Sequence, residues 1–143
     1  MQGNGDGEFN LFLTGGAELI DNIHWVSAGG VRLPTDRSAE NQVAYWSNHF
    51  DAQLGDSGLY LFSEWNLYHW LRDGKAFPLP FGGLDVINLG GVGIANQNVV
   101  TTALGVKYKP ADNLEVGVCY EVPVTSDEDI LQDRIGFDLI VRY

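Results

Sequence analysis

The sequence predicts an all-β protein, an antiparallel up-and-down meander of about seven to eight long strands. Three observations predict it. Apolar residues recur at every second position along most of the chain, and a period of two sends successive side chains to opposite faces of a strand. The alternating runs are about 10 to 13 residues long, against about 5 to 6 for ordinary sheet strands. The connections between them alternate between short turns rich in Asp, Asn and Gly and longer polar stretches, as a meander of hairpins requires.

From Phe9 to Ile20, the apolar residues Phe9, Leu11, Leu13, Ala17 and Leu19 alternate with Asn10, Thr14, Gly16 and Glu18. Asp21-Asn22 is a turn signal. The second run, 23–33, sets Ile23, Trp25, Val31 and Leu33 against His24, Ala28, Gly30 and Arg32. A polar loop, Pro34 to Asn41, leads to a third run over 42–54, with Ala44, Trp46, Phe50 and Leu54 opposite Tyr45, Ser47, His49, Asp51 and Gln53. Gly55-Asp56-Ser57-Gly58 turns the chain into a fourth, aromatic run, 59–71. There Leu59, Leu61, Trp65, Leu67 and Leu71 oppose Tyr60, Phe62, Glu64, Asn66, Tyr68 and Trp70. Residues 72–98 are less regular. Alternation resumes over 99–109 and again from Leu114 to Val122, with Lys109 to Asn113 as the turn between. Thr125 to Asp133 is an acidic loop. In the last run Ile135, Phe137, Leu139, Val141 and Tyr143 face away from Gly136, Asp138, Ile140 and Arg142.

Runs of this length suit a bilayer crossed at a tilt of about 45°. If 72–98 is one long external loop, short and long connections alternate throughout, and seven strands cross. Seven is odd, so at least one earlier strand is expected to be missing, and the chain reads as the C-terminal part of a larger barrel of about 12 strands. If instead 86–94 is an eighth strand, the chain closes as a small barrel. Residues 1–143 form one domain in either case. Met1 is followed at once by Gln2-Gly3-Asn4-Gly5-Asp6-Gly7, so 1–8 reads as a loop cut open, with no signal peptide ahead of it.

Composition narrows the class of partner. A net charge of −11 leaves no basic face for nucleic acid and no polybasic stretch for an anionic membrane surface. With 18 glycines and 12% aromatics, the chain fits a membrane barrel with aromatic girdles. A mean hydropathy of −0.07 is expected if only alternate residues meet lipid. No apolar run of about 18 residues occurs, so no transmembrane helix is expected. Cys119 is the sole cysteine, which excludes an intrachain disulfide and a CxxC motif.

The final strand resembles the C-terminal signature of bacterial outer-membrane β-barrels, in which alternating apolar residues lead to a terminal Phe, Tyr or Trp. The stretches Glu64-Trp65-Asn66-Leu67-Tyr68-His69-Trp70 and Leu104-Gly105-Val106-Lys107-Tyr108-Lys109-Pro110 are similar to C-terminal regions of barrel proteins described as transporters. The resemblance implies a Gram-negative outer-membrane location and a porin-like or transporter role for small solutes. It also implies contact with lipid and lipopolysaccharide, and recognition by the barrel-assembly machinery through Phe137, Leu139, Val141 and Tyr143. Trp25, Tyr60, Tyr108 and Tyr143 fall near the expected periplasmic ends, and Trp46, Tyr68 and Trp70 near the external ends, as two interfacial belts.

The polar face is the candidate functional surface. It carries Glu18, His24, Arg32, His49, Asp51, Glu64, Lys107, Glu115, Glu121, Asp138 and Arg142. Charges there must meet water or one another, because unpaired burial is costly. In a wide barrel they line an aqueous pore that the acidic excess biases toward cations. In a narrow barrel they form a packed salt-bridge network, and the protein is a structural barrel with a plugged interior. A third possibility is a soluble lipocalin-like barrel with its apolar faces turned inward around an apolar ligand.

No enzyme is read. Ser47, His49 and Asp51 share a face, but each step of two along a strand is about 7 Å, too long for a Ser–His hydrogen bond. His24, His49 and His69 lack the Ser two residues on that outer-membrane lipid A deacylases use. No cofactor or metal is expected. Asn4 to Glu8 lacks the spacing of a calcium loop, and Gly90-Gly91-Val92-Gly93 does not complete a nucleotide motif. Asp127, Glu128, Asp129 and Asp133 read as a solvated acidic loop, or as a station for divalent cations that bridge lipopolysaccharide.

Overall fold

A computed structural model describes residues 7–75, 93–125 and 133–143. Seven strands run in chain order: β1 (Glu8–Ile20), β2 (Ile23–Pro34), β3 (Gln42–Gln53), β4 (Leu59–Arg72), β5 (Asn98–Ala111), β6 (Leu114–Pro123) and β7 (Arg134–Val141). They form one sheet in the order β1-β2-β3-β4-β5-β6-β7, and every neighbouring pair is antiparallel. Among the described residues the sheet is open, since neither β1 nor β7 has a second neighbour. Strands β2 and β3 hold 12 residues each, and β4 and β5 hold 14. At about 3.3 Å per residue such strands span roughly 40 Å.

The short turns lie at one end of the sheet and the long connections at the other. Asn22 closes the β1–β2 hairpin at φ 65°, a left-handed conformation that Asn tolerates. The Glu18 carboxylate accepts the Asn22 backbone N–H at 3.1 Å.

Several boundaries differ from the sequence expectation, β2 running on through Pro34 and β4 through Arg72 among them. The opened loop was expected over 1–8, yet Glu8 already pairs with Pro34, and the Thr35 N–H donates to the Gly7 carbonyl at 2.9 Å. The expected turn Lys109 to Asn113 narrows to Asp112-Asn113, because β5 continues through Lys109, Pro110 and Ala111. The ladder shifts register between Tyr108 and Ala111, where Pro110 has no N–H to donate. Strand β7 begins at Arg134 rather than Ile135. The segment 86–94, on which the eight-strand count depends, lies outside the described residues up to 92.

The sheet is inside out by the standard of a protein in water. On β5, Leu104 is 67% exposed while its neighbour Ala103 is 1% exposed. On β6, Tyr120 is 51% exposed while Glu121 is 4% exposed. The apolar face is bare and the charged face is covered. The buried apolar cluster is small and sits on the polar face at the long-loop end, where Val43, Trp70 and Val99 pack with Tyr68 and Ile94. Trp70 and Tyr68 therefore do not belong to an outward aromatic belt. Tyr60 also turns to the polar face, under Lys107 and Lys109. The outward aromatics among the described residues include Trp25, Trp46, Phe50, Trp65, Tyr108 and Tyr120, each on the opposite parity.

Phe62 shows how the polar face is filled. Its ring stacks on His49 at 5.2 Å and lies over the bare backbone of Gly105. A Cβ on Gly105 would collide with that ring and come within 2.6 Å of the Val118 carbonyl oxygen.

Candidate functional site

Alternation brings the charged residues to one face, and register decides which of them meet. The pairings His24↔Asp51 and His49↔Glu64 put those side chains directly across from each other. His24 Nδ1 lies 2.7 Å from Asp51 Oδ1, and His49 Nδ1 lies 2.8 Å from Glu64 Oε1. His49 Nε2 reaches Asp51 Oδ2 at 3.4 Å. That contact crosses an i, i+2 spacing along one face of β3. Ser47 does not join them. Its carbonyl accepts the Ser27 hydroxyl at 3.3 Å, and both nitrogens of His49 are spent on carboxylates.

The chain of contacts continues across β5, β6 and β7. Lys107 Nζ sits 3.5 Å from Asp51 Oδ2 and 3.7 Å from Glu115 Oε1. Glu115 also takes Lys109 at 3.8 Å and Arg142 at 3.1 Å, so three cations share one carboxylate whose side chain is 8% exposed. Nearer the long-loop end, the Arg134 Nε–H donates to Glu121 Oε2 at 2.9 Å, and the Thr101 hydroxyl donates to Glu121 Oε1. Tyr60 lies beneath two ammonium groups, Lys107 at 5.1 Å and Lys109 at 4.7 Å from its ring centre.

Of the eleven residues expected on this face, eight join the array: His24, His49, Asp51, Glu64, Lys107, Glu115, Glu121 and Arg142. The other three stand apart. Glu18 caps its turn, Arg32 lies over the Tyr45 ring at 5.7 Å, and Asp138 leans over Gly117. Two members were missed, Lys109 as a turn residue and Arg134, which falls between the acidic loop ending at Asp133 and the alternating run from Ile135. Extending the period-two pattern one step past each strand end would have found both.

With them counted, Asp51, Glu64, Glu115 and Glu121 face Lys107, Lys109, Arg134 and Arg142, so the array is balanced. The acidic excess expected on this face largely disappears. Other acids cap turns and loops, as Asp36 and Asp73 do at the long-loop end. The Ser38 hydroxyl and N–H, with the Ala39 N–H, hold the Asp36 carboxyl below its ordinary value. The Ala95 N–H does the same for Asp73, helped by Gly93 and Ile94, where Asp73 Oδ1 accepts at 2.6 Å and 2.8 Å from Ala95 and Ile94.

Among the described residues no group of His, Cys, Asp and Glu is placed to hold a metal. Asn4 to Asp6 and Asp127 to Asp129 lie outside them.

Comparison with known proteins gives no match, whether to family models, to curated proteins or to solved structures.

The opposite face offers Phe137, Leu139 and Val141 at 79%, 70% and 57% exposure. On edge strand β7 both faces are open, and Asp138 and Arg142 are exposed as well. The contrast between faces is therefore read on the inner strands, where each residue has neighbours on both sides.

Proposed function

We propose that this chain forms the wall of an outer-membrane β-barrel, a porin-like channel or transporter for small solutes, and supplies part of a larger barrel. One observation carries the reading: on the inner strands the apolar face is exposed and the charged face is covered and mutually paired. Water would select the reverse, whereas lipid outside and a polar interior select this arrangement. The open edges support the further statement that additional strands complete the barrel. Strands β1 and β7 run parallel, so an odd number of further strands is needed to close an antiparallel meander. Phe137, Leu139, Val141 and Tyr143 would then be the face read by the barrel-assembly machinery.

A second reading is favoured by the array itself. Ten ionised or ionisable residues paired on the polar face resemble a packed interior, which fits a structural barrel with a plugged lumen. Conductance of the full chain refolded from detergent into planar bilayers separates the two. Discrete, ohmic steps are expected of a channel; tight insertion without steps favours the plug. A protein that stays monomeric in water without detergent would end both readings and leave a soluble lipocalin-like barrel.

A further inference from the structure

We infer that the groove at the long-loop end of the β1–β2 outer face is a seat for one phosphorylated lipid, its acyl chain along the strands and its phosphate on Arg37. The groove measures about 520 Å³ and is lined by Phe9, Leu11, Leu33, Pro34, Thr35 and Arg37. Phe9, Leu11 and Leu33 all have the outward parity of the sheet, and Phe9 and Leu11 are 66% and 61% exposed. They form apolar walls, Phe9 and Leu11 exposed and Leu33 half-buried.

The rim offers a single free polar group. The Thr35 hydroxyl is already donated to the Gly7 carbonyl at 2.9 Å. Asp36 is adjacent in sequence to Arg37 but does not neutralise it. Its Oδ1 accepts from the Ser38 N–H at 2.8 Å and the Ser38 hydroxyl at 2.6 Å, and from the Ala39 N–H at 3.2 Å. Among the described residues Arg37 has no ion pair, and it is exposed.

A cation alone at the head of an apolar groove asks for a ligand with one anionic head and a hydrocarbon tail. The guanidinium fork matches two phosphate oxygens at once. The position fits as well. The groove lies on the last rungs of the β1–β2 ladder and the first residues after them, at the end opposite the two-residue turn, where a strand crossing a bilayer reaches the headgroups. A further strand pairing with the β1 edge would leave Phe9 and Leu11 pointing outward, so closure of the barrel does not occupy the groove.

Granted the membrane reading on which this rests, the test uses the full chain inserted into vesicles of phosphatidylcholine containing phosphatidic acid, then extracted in mild detergent. Lipid retained per chain is counted by native mass spectrometry. The wild type is expected to retain about one phosphatidic acid in preference to phosphatidylcholine. Arg37→Gln should lower that retention about tenfold, the weight of a charge-assisted hydrogen-bonded pair, and Leu33→Ser should lower it as well. Arg32→Gln removes the same charge on the polar face and should leave retention unchanged.

Equal loss in Arg37→Gln and Arg32→Gln would overturn the inference in favour of bulk charge. No loss in Arg37→Gln would overturn it outright, and full displacement by inorganic phosphate would show an anion site without a tail. Insertion without lipid selectivity defeats this inference alone; failure to insert defeats the membrane reading with it.

Discussion

The middle of the sheet and its two edges carry the same alternation, yet their polar faces differ. On β6, Glu115 and Glu121 are 6% and 4% exposed and surrounded by cations and a hydroxyl. On β1 and β7, Glu18 and Asp138 have the same parity but stand exposed, one capping a turn and the other over a glycine. Period two assigns a face, but burial on that face is made by neighbours on both sides. The edges therefore show what the middle would be without its flanking strands.

Substitutions can break or sharpen that contrast. The largest effect is expected at Glu121→Ala in the middle. It takes the shared acceptor from Arg134 and from the buried Thr101 hydroxyl and should cost about 3–5 kcal/mol in denaturant unfolding, as removing one partner of a buried pair does. Leu104→Arg, on the bare face, should cost about 2–4 kcal/mol when the protein folds in a bilayer, and little if that face meets water. Gly105→Ala drives a methyl group into the Phe62 ring and the Val118 carbonyl, and overpacking of that kind costs about 1–3 kcal/mol; trimming Phe62 to Leu in the same chain should recover part of the loss. At the edge, Asp138→Asn should change stability by no more than about 0.5 kcal/mol. A larger loss would show that β7 is covered after all.

The smallest effect concerns the neck of the long connection after β4. Asp73 is held below its ordinary value of 3.8 by backbone donors, the Ala95 N–H foremost. A carboxyl with a lowered folded value stabilises when ionised. The contribution is thus complete above pH 3.8 and is lost as the pH falls through the depressed value. Protection of the Ala95 and Ile94 amides, with exchange corrected for its intrinsic pH dependence, should fall only in that acid range, and in Asp73→Asn it should be low at every pH.

Much of the fold was legible because period two and turn chemistry are local. Asp21-Asn22 and Gly55 to Gly58 mark hairpins, and the strands between them begin and end within a residue or two of expectation. What local pattern cannot carry is register, which turn geometry and packing set. Nothing in the sequence says that Glu115 collects Lys107, Lys109 and Arg142, none of them on its own strand. Lys109 was hidden by Pro110, which reads as a turn residue but here marks an irregular rung inside β5. Trp70, Tyr68 and Tyr60 were assigned to a lipid belt by residue type; their even positions on β4 place them on the polar face instead. The balance of charge on that face also depended on finding Lys109 and Arg134, since without them the surface reads as acidic.

The central claim, that the bare apolar face meets hydrocarbon, is tested most directly by fluorescence quenching in lipid. Trp65 lies mid-strand on the outward face at 47% exposure, and Trp70 lies on the other face of the same strand at 4%. In variants that keep only one of these tryptophans, lipids brominated in mid-chain should quench Trp65 strongly and leave Trp70 nearly untouched. Quenching of Trp65 by aqueous iodide but not by brominated lipid would contradict the account.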